Sequence, residues 1–432
     1  MEILINTINS QLGTDNPKLL TALEDLYSFK VPGAEYSPQY RRHSWDGKKK
    51  FFSRKGVFKT GLLERVLTDL KKVEADPILI DKRTTNTKTK EYSFDNITYY
   101  DYQERTIKEA LIKKRAVIKA PTASGKTLIM AGLVKALHGR KMILLFNAKL
   151  LLTQTYDFLK SLEIPNLGLC FSEGFIEGNI MLCTVQSIEK ILDTHLDCEV
   201  IMVDECHEFS NGKTTVAAIQ SFPQANYRFG FTATPPTENI SLFNLEGGLG
   251  PIYSVATTEE LIESGKLTKP IIQIINRTLK EEVGEDLSYL EIYENHIVNN
   301  IERNNTIKEI VDDIKNKNER ARILILTKSL DHGRTLENLL GGHCEFLQGC
   351  DSVSERYEAI SRFRRCREPS ILIGTKILQT GVNIEEITHF INARGMKSEI
   401  ATLQALGRAL RKHEAKDKVF VYDFFDQEPY LL

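Results

Sequence analysis

Residues 120–127 read Ala-Pro-Thr-Ala-Ser-Gly-Lys-Thr, and the other motifs of the chain are interpreted in relation to this stretch. An apolar run, Ala116-Val117-Ile118, precedes it, and a helical pattern from Leu128 to Leu137 follows it. A strand, a loop of small residues and a helix opening on Lys-Thr predict a phosphate-binding loop. Small residues let backbone N–H groups approach phosphates, and the helix N-terminus adds partial positive charge.

Two side chains of this loop have predicted roles. We expect Lys126 to reach the β- and γ-phosphates of a nucleoside triphosphate and the Thr127 hydroxyl to ligate Mg²⁺. The pattern GxxxxGK(S/T) begins with glycine, whereas this chain has Ala120 there, so a chance match or a non-catalytic loop is the alternative for the stretch alone. Three small residues complete the predicted nucleotide-binding set: Ala123, Ser124 and Gly125.

Composition describes an ordinary globular protein. The 432 residues are 41% apolar and 27% charged, enough for two or three domains with their own cores. No apolar run approaches the roughly 20 residues that cross a bilayer, and the N-terminus lacks the pattern of a secretion signal, so we expect a cytoplasmic protein. Seven scattered cysteines without a CxxC pair predict reduced thiols and imply neither zinc nor an iron–sulfur cluster.

Net charge is −1, so bulk charge does not indicate a polyanion partner, but residues 41–59 carry eight Lys and Arg against one acid, Asp46. Aromatic residues alternate with these cations, which fits phosphate contact combined with base stacking. The alternative is a solvated hairpin whose Trp and Phe rings face a small core. The candidate nucleic-acid contacts here are Arg41, Arg42, Trp45, Lys48, Lys49, Lys50 and Arg54.

The fold class is predicted to be α/β, with two tandem parallel-sheet domains and a small α+β module at the N-terminus. We place the module at residues 1–95, with helices near residues 19–27 and 62–70 and a polar linker at 81–90, and the two domains at 96–240 and 241–432. In the first domain the strand candidates lie at 116–119, 142–146, 180–184, 200–203 and 228–232. In the second they lie at 271–275, 322–326, 343–347, 370–373, 389–391 and 419–422. Helical segments between them favour parallel sheets covered on both faces.

A second chemical motif follows the apolar run Val200-Ile201-Met202-Val203, which leads directly into Asp204-Glu205-Cys206-His207. Downstream of a phosphate loop, two carboxylates at a strand end predict the other half of an NTPase site. We expect Asp204 to hold Mg²⁺ through water and Glu205 to orient and deprotonate the attacking water. His207 is expected to contact the nucleotide-side loops. An exposed acidic turn is the alternative.

A third motif, Thr232-Ala233-Thr234, places two hydroxyls after the next strand, where they are expected to sense the γ-phosphate. A plain strand-to-turn transition before Pro235 is the alternative.

The second half supplies Gln404-Ala405-Leu406-Gly407-Arg408-Ala409-Leu410-Arg411. Arg408 and Arg411 have helical i, i+3 spacing, which predicts that they share one face. A guanidinium brought to the γ-phosphate neutralises transition-state charge, an effect of about 10³–10⁵ in rate for arginine fingers. A solvated basic helix is the alternative interpretation.

The chain resembles superfamily 2 helicases and translocases in four motifs that follow the family's usual order: Lys126-Thr127, Asp204-Glu205-Cys206-His207, Thr232-Ala233-Thr234 and Gln404-x-x-Gly407-Arg408-x-x-Arg411. The resemblance covers about residues 99–425. It implies two RecA-like domains that bind ATP and Mg²⁺ between them, with nucleic acid across their tops. It also implies that Gln103 reads the adenine, that Gln404 belongs to the catalytic set, and that Gly381 lies in a motif touching both ATP and strand.

Further nucleic-acid contacts are implied by the same resemblance, on both halves of the chain. Lys149 belongs to a motif from which the family's usual Pro is absent, and Ala123 stands where many relatives have Gly. The residues implied to contact the nucleic-acid backbone are Lys149, Thr184, Gln186, Lys328, Arg356 and Thr375.

The N-terminal stretch around Ser44-Trp45-Asp46-Gly47-Lys48 is similar to the amino-terminal module of phage UvsW-type helicases, which unwind and remodel branched DNA. The resemblance predicts a monomeric, phage-encoded DNA helicase acting on forked and four-way DNA in replication, recombination or repair, in the host-cell cytoplasm. One alternative is an RNA helicase, although the DECH and QALGRALR signatures differ from those of the commonest RNA class. The other is a non-motor DNA-junction binder switched by ATP.

Overall fold

A computed structural model describes residues 1–83, 89–94, 97–210, 219, 221–277, 288–375, 384–395, 407, 409–414 and 416–426. The chain divides into two compact units, of which the first comprises Met1–Pro121 with Gly125–Thr257 and the second Thr122–Ser124 with Thr258–Leu432. The N-terminal module therefore belongs to the first unit. The units meet after Thr257, and the sequence-based division at residues 1–95, 96–240 and 241–432 stays a prediction.

The N-terminal module is a small α+β structure, as expected. Its strands are Glu2–Ile5 (β1), Asn9–Gly13 (β2), Ser28–Lys30 (β3), Lys48–Lys50 (β4), Val57–Lys59 (β5) and Ile78–Asp81 (β6). Four of them form a sheet of order β5-β2-β1-β6, and β3 pairs with β4 in a separate antiparallel ladder. Its α-helices are Pro17–Leu26, Pro38–Arg41 and Leu63–Lys72.

Buried and more exposed side chains alternate along β1 and β2, and this alternation explains which face of the sheet is buried. Ile3 and Ile5 of β1 and Leu12 of β2 point to one side, where they meet Val66 and Leu70 from the helix Leu63–Lys72. Side chains two residues apart on a strand share a face, so this pattern builds a single core beneath the helices.

One helix from outside the module completes that core, and we call it the shared helix, Asn239–Leu249. Its Phe243 ring lies 4.7 Å from the ring of Phe29 and 5.3 Å from that of Phe51. A Cβ atom on Gly61 would lie 1.9 Å from the carbonyl oxygen of Glu246, so only glycine allows the two backbones to approach this closely.

The rest of the first unit is built on an eight-stranded sheet. Its strands are Arg115–Lys119 (β7), Met142–Phe146 (β8), Leu167–Phe171 (β9), Gly174–Ile176 (β10), Ile180–Thr184 (β11), Val200–Val203 (β12), Tyr227–Thr232 (β13) and Ile252–Ser254 (β14). They lie in the order β10-β9-β11-β8-β12-β13-β7-β14, and among these described strands the β10–β9 pair is antiparallel and the others are parallel. The described α-helices with it are Asp101–Lys113, Lys126–Ala136, Lys149–Ser161 and the shared helix. The central strands are buried throughout, as strands covered on both faces must be.

The second unit contains a six-stranded parallel sheet of order β15-β20-β19-β16-β18-β17. Its strands are Lys269–Arg277 (β15), Arg322–Leu326 (β16), Cys344–Leu347 (β17), Ser370–Gly374 (β18), His389–Asn392 (β19) and Lys418–Asp426 (β20). The described α-helices are Thr258–Glu263, Tyr289–Tyr293, Ile301–Lys317, Leu330–Leu340 and Val353–Arg365. Apolar clusters cover both faces of this sheet.

The predicted fold class is confirmed, since each half carries a parallel sheet and the N-terminal module is α+β. Every strand candidate in the sequence corresponds to an observed strand, with ends that differ by a few residues. Among the described residues, none of the helices combines the length and the apolar composition that crossing a bilayer requires. All seven cysteines are unpaired thiols, and four of them are buried.

Candidate functional site

Strand order brings the sequence motifs of the first unit to one edge of its sheet. Parallel strands end at the same edge, and the five central strands run in the order β11-β8-β12-β13-β7. The phosphate-binding loop follows β7, the Thr232-Ala233-Thr234 motif ends β13, and the Asp204-Glu205 pair follows β12. Lys149 and Thr184 lie at the ends of β8 and β11, so the two kinds of predicted contact, nucleotide and nucleic acid, are segregated along this edge.

The predicted phosphate-binding loop contains two residues with left-handed backbone angles. Gly125 adopts φ 80° as the N-cap of the helix that begins at Lys126, and a Cβ atom there would lie 2.4 Å from Nε2 of Gln103. Ala123 adopts φ 68°, a left-handed conformation that costs a non-glycine residue roughly 1–2 kcal/mol. Ala123 therefore adopts a conformation that glycine would take at a lower cost.

Gln103 is held beside this loop by a capping box at the start of the helix Asp101–Lys113. Its Oε1 accepts a hydrogen bond from the backbone N–H of Tyr100 at 3.0 Å, and its Nε2 lies 3.3 Å from the Tyr102 hydroxyl. Because its side chain is buried and both ends of its amide are engaged, Gln103 has a fixed orientation next to Gly125.

Lys126 and Glu205 form the central ion pair of the site. The Nζ atom of Lys126 lies 2.5 Å from Oε1 of Glu205, and both side chains are mostly buried. Glu205 adopts φ 45°, so its backbone is left-handed at the point where the chain leaves β12. This conformation turns the side chain of Glu205 away from the direction that an extended strand would give it.

Burial and charge separate the pKa values of the two adjacent carboxyls. Burial raises the pKa of Asp204 to about 6, and the neighbouring Glu205 carboxylate adds to this effect. Burial acts on Glu205 in the same direction, but the Lys126 ammonium and a hydrogen bond from His207 outweigh it and lower the pKa of Glu205 to about 2. Burial also opposes the charge on Lys126, yet the carboxylates raise the pKa of its ammonium overall. The Lys126–Glu205 pair is therefore fully ionised near neutral pH.

His207 links this pair to the hydroxyl motif. Its Nδ1 atom lies 2.9 Å from Oγ1 of Thr232 and 3.4 Å from Oε2 of Glu205. Oγ1 of Thr232 also accepts a hydrogen bond from the backbone N–H of Thr234 at 3.0 Å. The hydroxyl oxygen of Thr234 is buried and has no hydrogen-bond partner among the described residues, which fits a group that bonds to a ligand at this edge.

The residues present fit a magnesium ion and a triphosphate. Thr127 is exposed at the first turn of the helix that follows the loop, and Asp204 lies at the end of a buried strand of the same sheet. Hydroxyl and carboxylate oxygens are the ligands that Mg²⁺ prefers. Lys126 and the helix N-terminus supply the positive charge that phosphate oxygens need.

Three predicted nucleic-acid contacts of the first unit differ in exposure. Lys149 is exposed, 2.6 Å from the Glu173 carboxylate, with its ammonium 4.7 Å from the ring centre of Phe171. Gln186 is exposed as well. Thr184 is buried, and its hydroxyl donates to Oγ of Ser187 at 3.1 Å, so this side chain has a structural partner.

Aromatic residues of the N-terminal stretch divide between core and surface. Phe51, Phe52 and Phe58 are buried in the core of the module, as the solvated-hairpin alternative requires of them. Trp45 is only half-buried, and its indole N–H donates to the carbonyl of Lys48 at 2.9 Å. Of these four rings, Trp45 alone has the exposure that base stacking requires.

Basic residues of the same stretch lie on the surface, and several have partners in the protein. Lys49 donates to Oδ1 of Asn244 at 2.7 Å, and Arg54 pairs with the buried Glu24 at 2.8 Å. Lys50 lies 3.5 Å from Glu24. The remaining candidates are also exposed, namely Arg41, Arg42 and Lys48.

Predicted contacts on the second unit lie close to the carboxyl ends of its strands. Lys328 follows β16, where its ammonium lies 4.7 Å from the ring centres of both Tyr289 and Tyr293. Arg356 donates to the carbonyl of Gly349 at 2.8 Å, and Thr375 is half-buried just after β18.

Arg411 requires a correction to its predicted helical placement. Gly381, Gln404 and Arg408 lie outside the described residues. Ala409 is helical, but Arg411 forms an isolated β-bridge with Leu267 and so lies beyond the helix. Arg411 is therefore not part of the helix, and its position relative to Arg408 lies outside the described residues. Burial lowers the pKa of its guanidinium, and the Glu385 carboxylate opposes this effect.

Several residues with structural roles were not found from the sequence. Arg65 and Glu246, which join the module to the shared helix, are 181 positions apart, and no local pattern links them. Lys416 was given no role in the sequence analysis, although its side chain is buried. Lys416 lies in the charged run from Arg411 to Lys418, and nothing in this run distinguishes it from its neighbours.

Comparison with known proteins identifies the two halves. Residues 96–237 match the family model described as Type III restriction enzyme, res subunit, and residues 302–413 match the helicase conserved C-terminal domain, together more than half of the chain. The chain is 24% identical to the ATP-dependent DNA helicase uvsW of Enterobacteria phage T4, over 94% of this chain and 86% of that protein. It is 23% identical to the DNA 3'-5' translocase XPB2 of Sulfurisphaera tokodaii, over 75% of this chain and 80% of that protein.

Solved structures support the same fold. The crystal structure of T4 UvsW matches 99% of this chain and 90% of its own, with a TM-score of 0.51 at 19% identity. The helicase domain of Pyrococcus furiosus Hef matches 76% of this chain and 95% of its own, with a TM-score of 0.53 at 15% identity. With these tandem domains and the motifs in their order, the chain belongs to the superfamily 2 helicases, a group of ATP hydrolases, and within that group it resembles UvsW.

Proposed function

We propose that the protein is an ATP-dependent DNA helicase that unwinds or branch-migrates forked and four-way DNA, acting as a monomer in the cytoplasm of a phage-infected cell. The observation that carries this proposal is the adjacency of β12, β13 and β7, whose ends bring together Lys126, Glu205 and Thr234. Support for DNA as the substrate comes from the relatives, which are named as a DNA helicase and a DNA translocase.

In the proposed reaction, ATP binding rearranges the central ion pair. Lys126 gains phosphate oxygens as partners, and Glu205 is released from the ammonium that keeps its pKa low. Released in this way, the Glu205 carboxylate becomes a better base, and it orients and deprotonates the attacking water. When Mg²⁺ is bound by Thr127 and Asp204, it neutralises charge on the triphosphate. Arg408 and Arg411 supply further positive charge to the transition state.

The geometry at the sheet edge supports the remaining proposed roles. Gln103 reads the adenine, because its amide is fixed beside the phosphate-binding loop. The Thr234 hydroxyl and His207 sense the γ-phosphate, since the hydroxyl oxygen has no hydrogen-bond partner among the described residues and the imidazole lies beside both Glu205 and Thr232. Exposed basic side chains of the N-terminal module hold the DNA backbone.

Energetics favour remodelling over long unaided unwinding. Disrupting one base-pair step costs about 1.4 kcal/mol of stacking, whereas branch migration re-forms one pair for each pair that it disrupts. The free energy that each step requires from ATP is therefore smallest on junctions.

The test compares ATPase and strand-displacement rates on single-stranded, duplex, forked and four-way DNA and on an RNA duplex. We expect forked and four-way DNA to give the highest rates and RNA to give almost none. Equal stimulation by RNA would instead indicate an RNA helicase. If Glu205→Gln kept full remodelling activity with ATP, the protein would be a switch and not a motor.

A further inference from the structure

The segment that contains Arg411 accepts hydrogen bonds at three consecutive backbone carbonyls, those of Ala409, Leu410 and Arg411. The ammonium of Lys416 donates to the carbonyl of Ala409 at 2.7 Å. The backbone N–H of Thr268 donates to the carbonyl of Leu410 at 2.8 Å, and the hydroxyl of the same Thr268 donates to the carbonyl of Arg411 at 3.2 Å. These are carbonyls at and just beyond a helix end, where backbone acceptors have no helical partner.

Lys416 is an unusual donor, because its side chain is buried. The same ammonium also donates to the carbonyl of Ile387 at 2.9 Å, just before β19. A buried ammonium is stable only when it is well hydrogen-bonded, so its two carbonyl partners must stay in place. Burial lowers the pKa of Lys416 to about 8, while Glu386 and Glu385 oppose this effect and Arg411 adds to it. The Lys416 side chain thus links the segment that contains Arg411 to the residues just before β19.

Thr268, which lies far upstream in the sequence, provides the other hydrogen bonds to the segment that contains Arg411. It is buried and directly precedes β15, the edge strand of the sheet. The neighbouring Leu267 forms the β-bridge with Arg411 and is fixed by a hydrogen bond from its own N–H to the carbonyl of Leu261. Leu267 and Thr268 therefore hold the backbone at Leu410 and Arg411, and Lys416 holds it at Ala409.

We propose that Lys416 and Thr268 are positioning residues that aim Arg411, acting through its backbone without touching the nucleotide. This inference rests on the role proposed above for Arg411. An arginine must reach its phosphate within a fraction of an ångström to stabilise a transition state, and a misplacement of about 1 Å can cost about 100-fold in rate. A backbone held at three successive carbonyls limits such movement.

The test measures DNA-stimulated ATPase and the affinity for a fluorescent ATP analogue in the full-length protein. Thr268→Val replaces the hydroxyl by a methyl group and keeps the backbone donor. Thr268→Ser is the matched control, because serine keeps the hydroxyl. Lys416→Met removes both ammonium bonds, and Lys416→Arg retains a charged donor. We expect kcat to fall about 3- to 10-fold in Thr268→Val and about 10- to 100-fold in Lys416→Met, with KM and analogue affinity within about twofold of wild type. Thr268→Ser should return to near wild-type kcat.

A double-mutant comparison separates this inference from the proposed function. If the two residues act through Arg411, Thr268→Val and Lys416→Met should add nothing in an Arg411→Ala background. An unchanged kcat in Thr268→Val, or equal losses with and without Arg411, would overturn the positioning role while leaving the ATPase assignment intact. If Arg411→Ala alone kept the wild-type kcat, the proposed role of Arg411 would fail, and the positioning role with it. Should Lys416→Met not fold, the threonine pair decides the question.

Discussion

The ammonium nitrogen of Lys126 lies 2.5 Å from Oε1 of Glu205, so the residue expected to bind phosphate and the residue expected to activate water neutralise each other. With its pKa lowered to about 2, Glu205 is a weak base in this arrangement. Only a competing partner for the lysine, such as a phosphate oxygen, frees the carboxylate. The pair thus couples the competence of the base to occupancy of the phosphate site.

We predict that Glu205→Gln retains ATP binding and loses about 10²–10⁴-fold in kcat, because the amide holds its place but cannot accept a proton. Steady-state ATPase with analogue binding measures both quantities. Glu177→Gln, which makes the same charge change on an exposed side chain of the same unit, is the control and should stay close to wild type. Parallel losses in the two variants would contradict the assignment of Glu205.

Lys126→Ala should abolish ATP binding as well as turnover, since the site loses its principal phosphate cation. Equilibrium titration with a fluorescent ATP analogue checks the first effect. Lys119→Ala, which removes an exposed lysine at the end of β7, serves as the control and should bind normally. Retention of full ATP-dependent unwinding by Lys126→Ala would show that the nucleotide binds elsewhere.

For DNA binding, we predict that replacing Lys48, Lys49 and Lys50 by Ala weakens affinity and flattens its salt dependence. Every phosphate that the variant no longer neutralises should reduce the log–log slope by about 0.9. Binding to a forked DNA across a salt series yields this slope. The control replaces Lys18, Lys71 and Lys72, which lie on helices of the same module, so that net charge changes equally. Identical slopes for the two triple variants would favour the solvated-hairpin interpretation of residues 41–59.

The junction between module and sheet should depend on one ion pair. Both Nε and Nη2 of Arg65 donate to the Glu246 carboxylate at 2.9 Å, and the guanidinium lies 4.8 Å from the centre of the Phe243 ring. Arg65→Met leaves a buried carboxylate without its partner, so we expect a loss of about 1–3 kcal/mol in urea unfolding. Lys72→Met breaks the exposed pair with Asp69 and should cost less than about 1 kcal/mol. A smaller loss for Arg65→Met than for Lys72→Met would contradict this view of the junction.

Acid should destabilise the second unit through a buried histidine. Burial lowers the pKa of His389 to about 4, whereas in the unfolded chain it titrates near 6.5. Between these values the unfolded state binds a proton that the folded state does not, so stability falls as pH drops from 6.5 to 4, by about 3 kcal/mol in total. His389→Phe preserves a ring against Phe420, which lies 5.1 Å away between centres, and should flatten the pH dependence of urea unfolding. An unaltered slope would assign the acid lability to other groups.

Much of this architecture was predictable because its signals are local. Apolar strands such as Met142–Phe146 are bounded by polar residues, and the motifs follow them directly. Three strands of the first sheet were missed: Leu167–Phe171, Gly174–Ile176 and Ile252–Ser254. The last two have only three residues each, too few for a recognisable period.

Side-chain partnerships were harder to predict, because they depend on residues distant in sequence. Lys126 and Glu205 were each assigned a role, but their pairing requires β7 and β12 to lie on either side of β13. Thr184 matched a family motif, yet its hydroxyl bonds to Ser187. Arg411 fitted a helical period, but pairing with Leu267 places it beyond the helix end. In each case the partner lies on another segment of the chain or forms a bond that the local pattern does not encode.

The close approach of Gly61 to the shared helix also bears on how this chain can be divided. Without residues 1–83, Phe243 would lose its aromatic neighbours and Glu246 would lose its counter-ion. The remaining ATPase would then expose an apolar surface that favours association. A truncated motor lacking the module should therefore aggregate on expression, even if every catalytic group were intact. Exchange of this module between related enzymes would have to carry the helix at 239–249 along with it.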